Sequence, residues 1–296
     1  MRTRFGLFML ALVIWAGLAC NAPLRGRVTP MVATPDLTLT ALFQWPTPTP
    51  AAPISPVVPT AITPLVTPTP ALPTPEGPIR QGPTVKARRL TTPPTIDGDL
   101  TEWQKADWFS ANHVIFGPEN WLGPADVSAV FALGWDVDAL YIAARVTDDV
   151  YVQLSTGFSL FKGDAIEIVM DTDLAGDFSN PNMNSDDYHI GFSPGYKEPG
   201  QRTEAYLWFP ETLRGPRTLS TQIGAQRTEQ GYTVEIRLPW TVLNHIPEPG
   251  GYYGFAFRVS DNDAVGRKVQ QTMVSNVPLP HTYNDPTTWG NLVLLP

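Results

Sequence analysis

The region over residues 84–296 is predicted to be an all-β domain, an antiparallel β-sandwich or barrel. Short segments in which apolar and polar side chains alternate recur along it, and this period of two is typical of half-buried strands. Turn-forming pairs separate the segments, among them Gly163-Asp164, Pro194-Gly195 and Pro249-Gly250. No long helical period interrupts the pattern, and the main helical candidate is a short turn over residues 101–106.

The alternation also predicts which side chains share a face. The segments with the clearest pattern are 127–133, 140–146, 165–170, 232–238 and 255–259. In the third segment Ile166, Ile168 and Met170 lie on one face, because successive side chains of a strand point to opposite sides. Glu167 lies on the other face, and Arg258 lies opposite the apolar face of the last segment.

The first 20 residues have the pattern of an export signal. Arg2 and Arg4 precede an apolar run over residues 5–19, which is shorter than a membrane-spanning helix requires. The run ends in Gly17-Leu18-Ala19 before Cys20, which resembles a bacterial lipobox with its leucine two rather than three places before the cysteine. We expect Cys20 to be lipidated and to tether the protein to the membrane at the cell surface. An ordinary secretory signal or an uncleaved anchor also directs the domain out of the cytoplasm.

Residues 21–83 are predicted to be a disordered linker rich in proline and threonine. Sixteen of the 32 prolines lie between Pro23 and Pro83, in repeats such as Pro46-Thr47-Pro48-Thr49-Pro50. Proline fixes the backbone and removes hydrogen-bond donors, so neither helix nor sheet forms there. We expect an extended polyproline II stalk of about 3 Å per residue, which holds the domain away from a surface.

Charge and cysteine content exclude several classes of function. The formal net charge is −8, and the residues beyond Glu76, 16 basic and 26 acidic, carry −10. Phosphate backbones repel so acidic a domain, so we expect no nucleic-acid partner. Cys20 is the single cysteine, which excludes an intrachain disulfide and a zinc site built on thiolates.

One motif is distinctive, and others follow it in a characteristic order. The first is PTIDGDLTEW, which begins at Pro94. The motifs that follow are LYIAARVTDD from Leu140, GDAIEI from Gly163, YTVEIRLPW from Tyr232, GFAFRVSD from Gly254 and WGNL from Trp289. Together they resemble the family 9 carbohydrate-binding modules and their DOMON-like relatives over about residues 84–296. The resemblance implies a jelly-roll β-sandwich that binds sugar in a shallow cleft without performing chemistry.

The resemblance also implies roles for individual residues. Phe161 and Tyr283 take the places of two tryptophans that hold a terminal sugar between their rings, and the apolar faces of sugars stack on aromatic rings. Glu167 and Arg258 take the places of polar side chains that bind sugar hydroxyls, and His189 substitutes for an arginine. Further candidates for the cleft are Trp121, Trp135 and Trp208. The tryptophans expected in the core are Trp103, Trp240 and Trp289.

An acidic loop follows the strand that carries Glu167. Its carboxylates are Asp171, Asp173, Asp177, Asp186 and Asp187, with a glycine and several asparagines between them. Oxygen ligands at such spacing suit a hard cation such as Ca²⁺. Without a counter-ion these carboxylates repel one another, unless the loop is simply solvated. Calcium-bound loops are also implied by the family resemblance, so we expect a structural calcium ion here.

Enzymatic activity is not expected. A glycosidase needs two carboxylates that flank one bond, and Asp164 and Glu167 are three residues apart, on opposite faces of a regular strand. No nucleophile elbow or phosphate-binding loop is present in the sequence. The four histidines are scattered, without the HExxH spacing of a metal hydrolase, at His113, His189, His245 and His281.

Two alternatives to sugar binding stay open at this level. Some DOMON-like domains hold haem b through methionine, histidine or lysine, which would make the domain an electron-transfer module. The side chains available for that role are Met170, Met183, Met273 and His189. The second alternative is a surface module for adhesion or scaffolding.

Overall fold

The computed structural model describes residues 72–296. The export signal, the lipidation at Cys20 and residues 21–71 of the predicted linker lie outside the described residues. Within residues 72–296, no helix is long and apolar enough to cross a membrane. Fourteen strands and five short 3-10 helices make up the described fold.

Each of the five segments of alternating polarity lies within a strand, so the predicted strands are confirmed. In chain order the strands are β1 (Thr84–Arg89), β2 (Trp108–Ala111), β3 (His113–Phe116), β4 (Val127–Trp135), β5 (Ala139–Asp148), β6 (Ala165–Asp171), β7 (Asp187–Ser193), β8 (Glu204–Phe209), β9 (Gly215–Pro216), β10 (Gln222–Thr228), β11 (Gly231–Pro239), β12 (Tyr252–Asp261), β13 (Thr272–Ser275) and β14 (Gly290–Leu294). The 3-10 helices are η1 (Leu100–Trp103), η2 (Gly157–Lys162), η3 (Glu211–Leu213), η4 (Trp240–Leu243) and η5 (Pro286–Thr288).

The strands form one continuous sheet that curls on itself into a β-sandwich. Its order is β10-β11-β5-β4-β1-β14-β12-β6-β7-β8-β9, with β2 beside β4, and β13 between β12 and β3. Phe131 of β4 and Phe257 of β12 stack with ring centroids 4.2 Å apart and planes at 5°. This contact joins the two halves of the sheet across the core, since β4 and β12 belong to different halves.

The sheet is antiparallel except at β1, where the structure differs from the purely antiparallel expectation. β1 runs parallel to both of its neighbours, with Val85 opposite Leu292 of β14 and Ala87 opposite Leu133 of β4. It therefore closes the sandwich by joining the first large hairpin to the last strand. Such a pairing depends on contacts far apart in sequence, which the alternation of β1 alone does not specify.

The core explains the alternation in β6, but the other face of this strand is buried as well. Ile166, Ile168 and Met170 are fully buried between the two halves of the sheet. On the opposite face, Val169 packs against Trp289, in the segment that follows β13. Glu167 shares that second face and is only 1% exposed. The face that carries Glu167 is therefore an interior surface with its own covering layer.

The motif that begins at Pro94 has a structural role. The predicted helical turn is η1, and Trp103 packs against Tyr141 on the outside of the first half of the sheet. The Trp103 indole donates a hydrogen bond to Glu235 Oε1 over 2.7 Å, and the backbone N–H of Gly98 donates to Glu235 Oε2 over 2.8 Å. The inward position of Trp103 is confirmed. Trp135 was predicted to be a cleft candidate, and this prediction is wrong, because the residue lies in the main core and is 1% exposed.

The last residues of the predicted linker pack on the domain. Arg80 is 4% exposed, and its Nη2 lies 2.8 Å from Asp171 Oδ2. Asn291 of β14 accepts a hydrogen bond from the Arg80 backbone N–H over 2.8 Å and donates one to the Arg80 carbonyl over 3.1 Å. The folded unit thus begins before the boundary at residue 84, because a buried arginine requires the pairing that Asp171 provides.

Replacing Arg80 with methionine tests whether this segment is part of the fold. We expect Arg80→Met to lower the free energy of unfolding by about 3 kcal/mol, because it leaves Asp171 buried without its counter-charge. The matched control is Arg88→Met, which removes an exposed pair with Asp107 at 3.1 Å and is expected to cost less than about 1 kcal/mol. Urea denaturation measures both, and equally small losses would contradict the packing of Arg80.

Candidate functional site

The second face of β12, β6, β7 and β8 carries most of the residues that the sequence singled out. Pairing between strands aligns Arg258, Glu167 and Gly191 in one row across β12, β6 and β7. Trp208 of β8 covers Gly191 so closely that any Cβ at residue 191 would overlap the indole ring. Because residue 191 is a glycine, the Trp208 indole can pack directly over its backbone, next to Glu167 and Arg258.

Glu167 is the centre of a buried hydrogen-bond network. His189 Nε2 lies 2.7 Å from Glu167 Oε2, and Ser260 Oγ donates to Glu167 Oε1 over 2.8 Å. Gln270 in turn donates to Ser260 Oγ over 2.8 Å. Arg258 Nη2 lies 3.9 Å from Glu167 Oε2. Both carboxylate oxygens thus have partners within the protein.

The network fixes the charge of its members. Burial alone would raise the pKa of Glu167, but the hydrogen bond from His189 and the charge of Arg258 outweigh it and lower that pKa. Burial, together with the charge of Arg258, lowers the pKa of His189. Near neutral pH the site therefore holds an ionised Glu167 and a neutral His189, which donates from Nε2.

Several polar atoms next to this network are buried without a partner among the described residues. They include Nε and Nη2 of Arg258 and both ring nitrogens of His281. His281 is 2% exposed, and burial lowers its pKa to about 3, so its ring is neutral. His281 was not among the predicted site residues, because it follows β13 in a segment without a periodic pattern. Orphaned donors and acceptors of this kind are rare in folded proteins and indicate a place for a polar ligand or water.

A series of aromatic rings borders the network. Phe161 contacts Trp208 with centroids 6.1 Å apart, and Trp208 contacts His189 at 4.6 Å. His189 in turn lies 5.5 Å from Tyr283, whose side chain is 55% exposed. The five predicted ligand-binding residues thus meet in one region, with Trp208 between two of them. Trp121, the third cleft candidate, is half-buried elsewhere and donates to the Val127 carbonyl over 3.1 Å.

Comparison with known proteins agrees with this architecture. The family described as carbohydrate family 9 binding domain-like matches residues 96–295. The chain belongs to this family. Its family 9 fold is also found in solved structures of a carbohydrate-binding module from Caldicellulosiruptor kristjanssonii. The complex with cellotriose is 22% identical, with a TM-score of 0.54, and covers 72% of this chain and 94% of that one.

Two further structures share the fold. The same Caldicellulosiruptor kristjanssonii module in complex with glucose is 21% identical, with a TM-score of 0.54 and coverage of 72% of this chain and 95% of that one. A putative carbohydrate-binding protein from Bacteroides uniformis ATCC 8492 is 9% identical, with a TM-score of 0.51 and coverage of 72% and 99%. No curated protein sequence matches the chain.

In this family 9 domain, three of the four residues considered for haem pack against or hydrogen-bond to other side chains. Met170 is fully buried in the apolar core between the two halves of the sheet. His189 uses Nε2 for Glu167. Met273 is 8% exposed on β13, and Met183 packs against Trp289 and its neighbours.

The acidic loop brings together three of its five predicted metal ligands. Carboxylate oxygens of Asp171, Asp177 and Asp186 lie within 4.8 Å of one another. Asp173 and Asp187 are not part of this triad. Asp173 Oδ1 accepts from the Gly176 N–H over 3.2 Å, and Asp187 Oδ2 accepts from the Asn184 N–H over 2.8 Å. Arg80 already supplies a positive charge to Asp171, which reduces the need for a cation.

A second group of carboxylates was not predicted and is more deeply buried. This buried acidic cluster consists of Asp126, Asp148, Asp164, Asp261 and Asp263, whose oxygens form overlapping groups within 4.8 Å. Five of its carboxylate oxygens are buried without a hydrogen-bond partner among residues 72–296. Each residue lies at or next to a strand end, and antiparallel pairing brings those ends to one edge of the sandwich. In the sequence, this cluster is indicated by carboxylates that stand at or near the ends of neighbouring strands.

The pKa values of the cluster show how poorly its negative charge is compensated. Burial and neighbouring carboxylates raise the pKa of Asp148 to about 6, of Asp263 to about 7 and of Asp261 to about 8. Burial raises the pKa of Asp164 well above its ordinary value. Protons or a cation must therefore balance the cluster near neutral pH.

A double-mutant cycle tests whether Glu167 and Arg258 act as one unit. We expect Glu167→Gln to lower the free energy of unfolding by about 3 kcal/mol, because it leaves a buried guanidinium without its counter-charge. Arg258→Met leaves Glu167 uncompensated and should cost a similar amount. In the double variant the loss should be at least about 1 kcal/mol smaller than the sum, as measured by urea denaturation. Additive losses would show that the two charges are not coupled.

Proposed function

We propose that residues 72–296 form a non-catalytic module that binds carbohydrate beside Tyr283, at the exposed border of the layer that covers the second face of β12, β6, β7 and β8. The observation that carries this proposal is the set of unpartnered polar atoms of Arg258 and His281 in the region bordered by the exposed ring of Tyr283. Sugar hydroxyls both donate and accept hydrogen bonds, so they suit the guanidinium N–H groups and the imidazole nitrogens. The apolar face of a pyranose ring stacks on an aromatic side chain such as Tyr283.

Membership in a family of carbohydrate-binding domains supports the class of ligand. The cellotriose and glucose complexes of the Caldicellulosiruptor kristjanssonii module support gluco-oligosaccharides as the first ligands to test. His189, beside Glu167, stands where the family resemblance gives an arginine, and this difference favours a specificity of this chain's own.

Binding without catalysis agrees with the chemistry of the carboxylates. Glu167 has both oxygens engaged by His189 and Ser260 and is 1% exposed, so it is poorly suited to transfer a proton to a glycosidic oxygen. Asp164, the other carboxylate near it in sequence, belongs to the buried acidic cluster. A glycosidase requires two carboxyl groups on either side of one accessible bond.

The proposal includes delivery to the cell surface. The apolar run before Cys20 supports export and lipid anchoring, and the proline-rich linker supports an extended stalk. Such an arrangement holds a sugar-binding face away from the membrane, where it captures soluble or insoluble glycans.

We further propose that calcium binds to the buried acidic cluster, rather than mainly to the loop after β6. Ca²⁺ binds six to eight oxygen ligands, and carboxylates are among those it prefers. The carboxylates of the cluster therefore suit this ion. Asp261 supports the site most strongly, since both of its oxygens are buried without a partner among the described residues. Bound calcium neutralises the cluster and fixes the strand ends that carry it.

Tyr283→Ala tests the stacking part of the proposal. We expect the affinity for cellotriose to fall about tenfold, because the exposed ring provides a stacking surface worth about 1.4 kcal/mol. The control is Phe116→Ala, which removes a ring that is 49% exposed on β3 and should leave the affinity unchanged. Isothermal titration calorimetry measures both. Equal affinity of both variants and the parent protein would contradict stacking on Tyr283.

Calcium removal tests the metal part. In EDTA we expect stability to fall as the pH rises from about 4 to about 8, because over this range the folded state keeps protons that the unfolded state has already lost. The stabilising effect is complete only below about pH 4 and is gone above about pH 8. At pH 8.5, calcium at a hundred times its dissociation constant should restore about 3 kcal/mol and raise the melting temperature.

Two variants locate the calcium effect. Asp261→Asn should abolish most of the calcium-dependent rise in melting temperature, whereas Asp177→Asn, in the loop after β6, should retain it. The same melting temperature in EDTA and in calcium at pH 8.5 would exclude calcium binding. Loss of the effect only in Asp177→Asn would move the site to the loop.

A further inference from the structure

A polar cavity of about 510 Å³ opens beside the end of β8. Its walls include Thr156, Tyr196, Arg202, Glu204, Thr218 and Lys268. Its volume lies within the range of sites that hold small ligands. None of the residues predicted from the sequence lines it.

The cavity lies on the same face of β8 as the aromatic rings Tyr206 and Trp208. Glu204, Tyr206 and Trp208 lie on one face of β8, because alternate residues of a strand share a face. Tyr206 contacts Trp208 with ring centroids 5.9 Å apart, and Phe158 of η2 contacts Tyr206 at 6.3 Å. Glu204 lines the cavity and accepts a hydrogen bond from the backbone N–H of Gly157 at the start of η2 over 2.7 Å. This face of β8 therefore has His189 and Trp208 at one end and the cavity beside Glu204 at the other.

The cavity carries positive charge in a domain that is otherwise strongly acidic. Arg202 and Lys268 line it, and neither forms an ion pair within residues 72–296. The Arg202 guanidinium lies 4.2 Å from the centre of the Tyr196 ring, and this contact holds the cation at the wall. Glu204 is the opposing charge, and its Oε1 is held by Gly157. Two cations and one carboxylate leave the cavity with a positive balance.

The loop that supplies Tyr196 and Arg202 adopts an unfavourable backbone conformation. Lys197 and Arg202 have φ angles of 71° and 49°, in the left-handed region that residues with a Cβ rarely adopt. Such strain is typical of segments that place side chains for binding. At the other end of the loop, Tyr151 fixes its position by donating to the Gly195 carbonyl over 2.6 Å.

We propose that this cavity is a subsite for a sugar that carries a carboxylate, so that the site takes an acidic oligosaccharide. The inference rests on the proposed function, because it extends the same binding face along β8. The Arg202 guanidinium suits a carboxylate, to which it donates two parallel hydrogen bonds. Lys268 adds a second charge, and the hydroxyls of Thr156 and Thr218 suit the hydroxyls of the same sugar.

Binding of two matched trisaccharides to the full chain tests this inference. The probes are cellotriose and cellotriose oxidised at C6 so that hydroxymethyl groups have become carboxylates. We expect the oxidised form to bind about tenfold more tightly at low salt, and the preference to shrink at high salt, where exposed charges are screened. Isothermal titration calorimetry at about 20 mM and about 500 mM salt, on either side of the roughly 0.1 M at which the Debye length is about 10 Å, gives both results.

Charge-removing variants locate the effect. Arg202→Gln and Lys268→Gln should each reduce the preference for the oxidised form, measured as the ratio of its affinity to the affinity for cellotriose. The matched control is Lys105→Gln, an exposed lysine beside a different groove, which should retain the preference.

The outcomes separate this inference from the function on which it rests. Equal binding of both trisaccharides, or a preference that survives Arg202→Gln and Lys268→Gln, overturns the acidic subsite but leaves the sugar site intact. Binding of neither trisaccharide overturns the proposed function, and the subsite with it.

Discussion

The burial of Glu167 in the middle of the second sheet face is the constraint on which the site depends. A carboxylate at 1% exposure is stable only with donors and positive charge around it, and His189, Ser260 and Arg258 supply them. These partners come from β7 and β12, so the network fixes both neighbours of β6 at once. The layer over this face, formed by η2 and the segment after β13, leaves Arg258 and His281 as the groups with unused polar atoms.

Much of the fold followed from local patterns. The period of two predicted the core faces of β4, β5, β6, β11 and β12, because alternation depends only on neighbouring residues. The motif around Trp103 was predicted to face inward, and its role is the hydrogen bond to Glu235. The five residues assigned to the site by family resemblance do meet in space, because β7 and β12 pair with β6 on its two sides.

The remaining features depend on contacts between distant residues. Nothing near Glu167 in the sequence indicates that its face is covered, since Trp208 and Trp289 reach it from other parts of the chain. The proline-rich composition around Arg80 predicted that it belongs to the linker. In the structure Arg80 forms hydrogen bonds with Asp171 and Asn291, which are 91 and 211 residues away in the sequence. The buried acidic cluster likewise forms only when separate strand ends meet at one edge.

Nuclear magnetic resonance can show whether sugar binds beside Trp208 and Arg258. Side-chain N–H signals of ¹⁵N-labelled protein are followed while cellotriose is added. We expect the signals of the Trp208 indole, which donates to the Phe158 carbonyl, and of the Arg258 Nε–H to shift in a saturable manner. The indoles of Trp103 and Trp240, bound to Glu235 and the Asp136 carbonyl, should stay unchanged. Shifts confined to Trp103 or Trp240, or no saturable shift at Trp208 and Arg258, would show that sugar does not bind in this region.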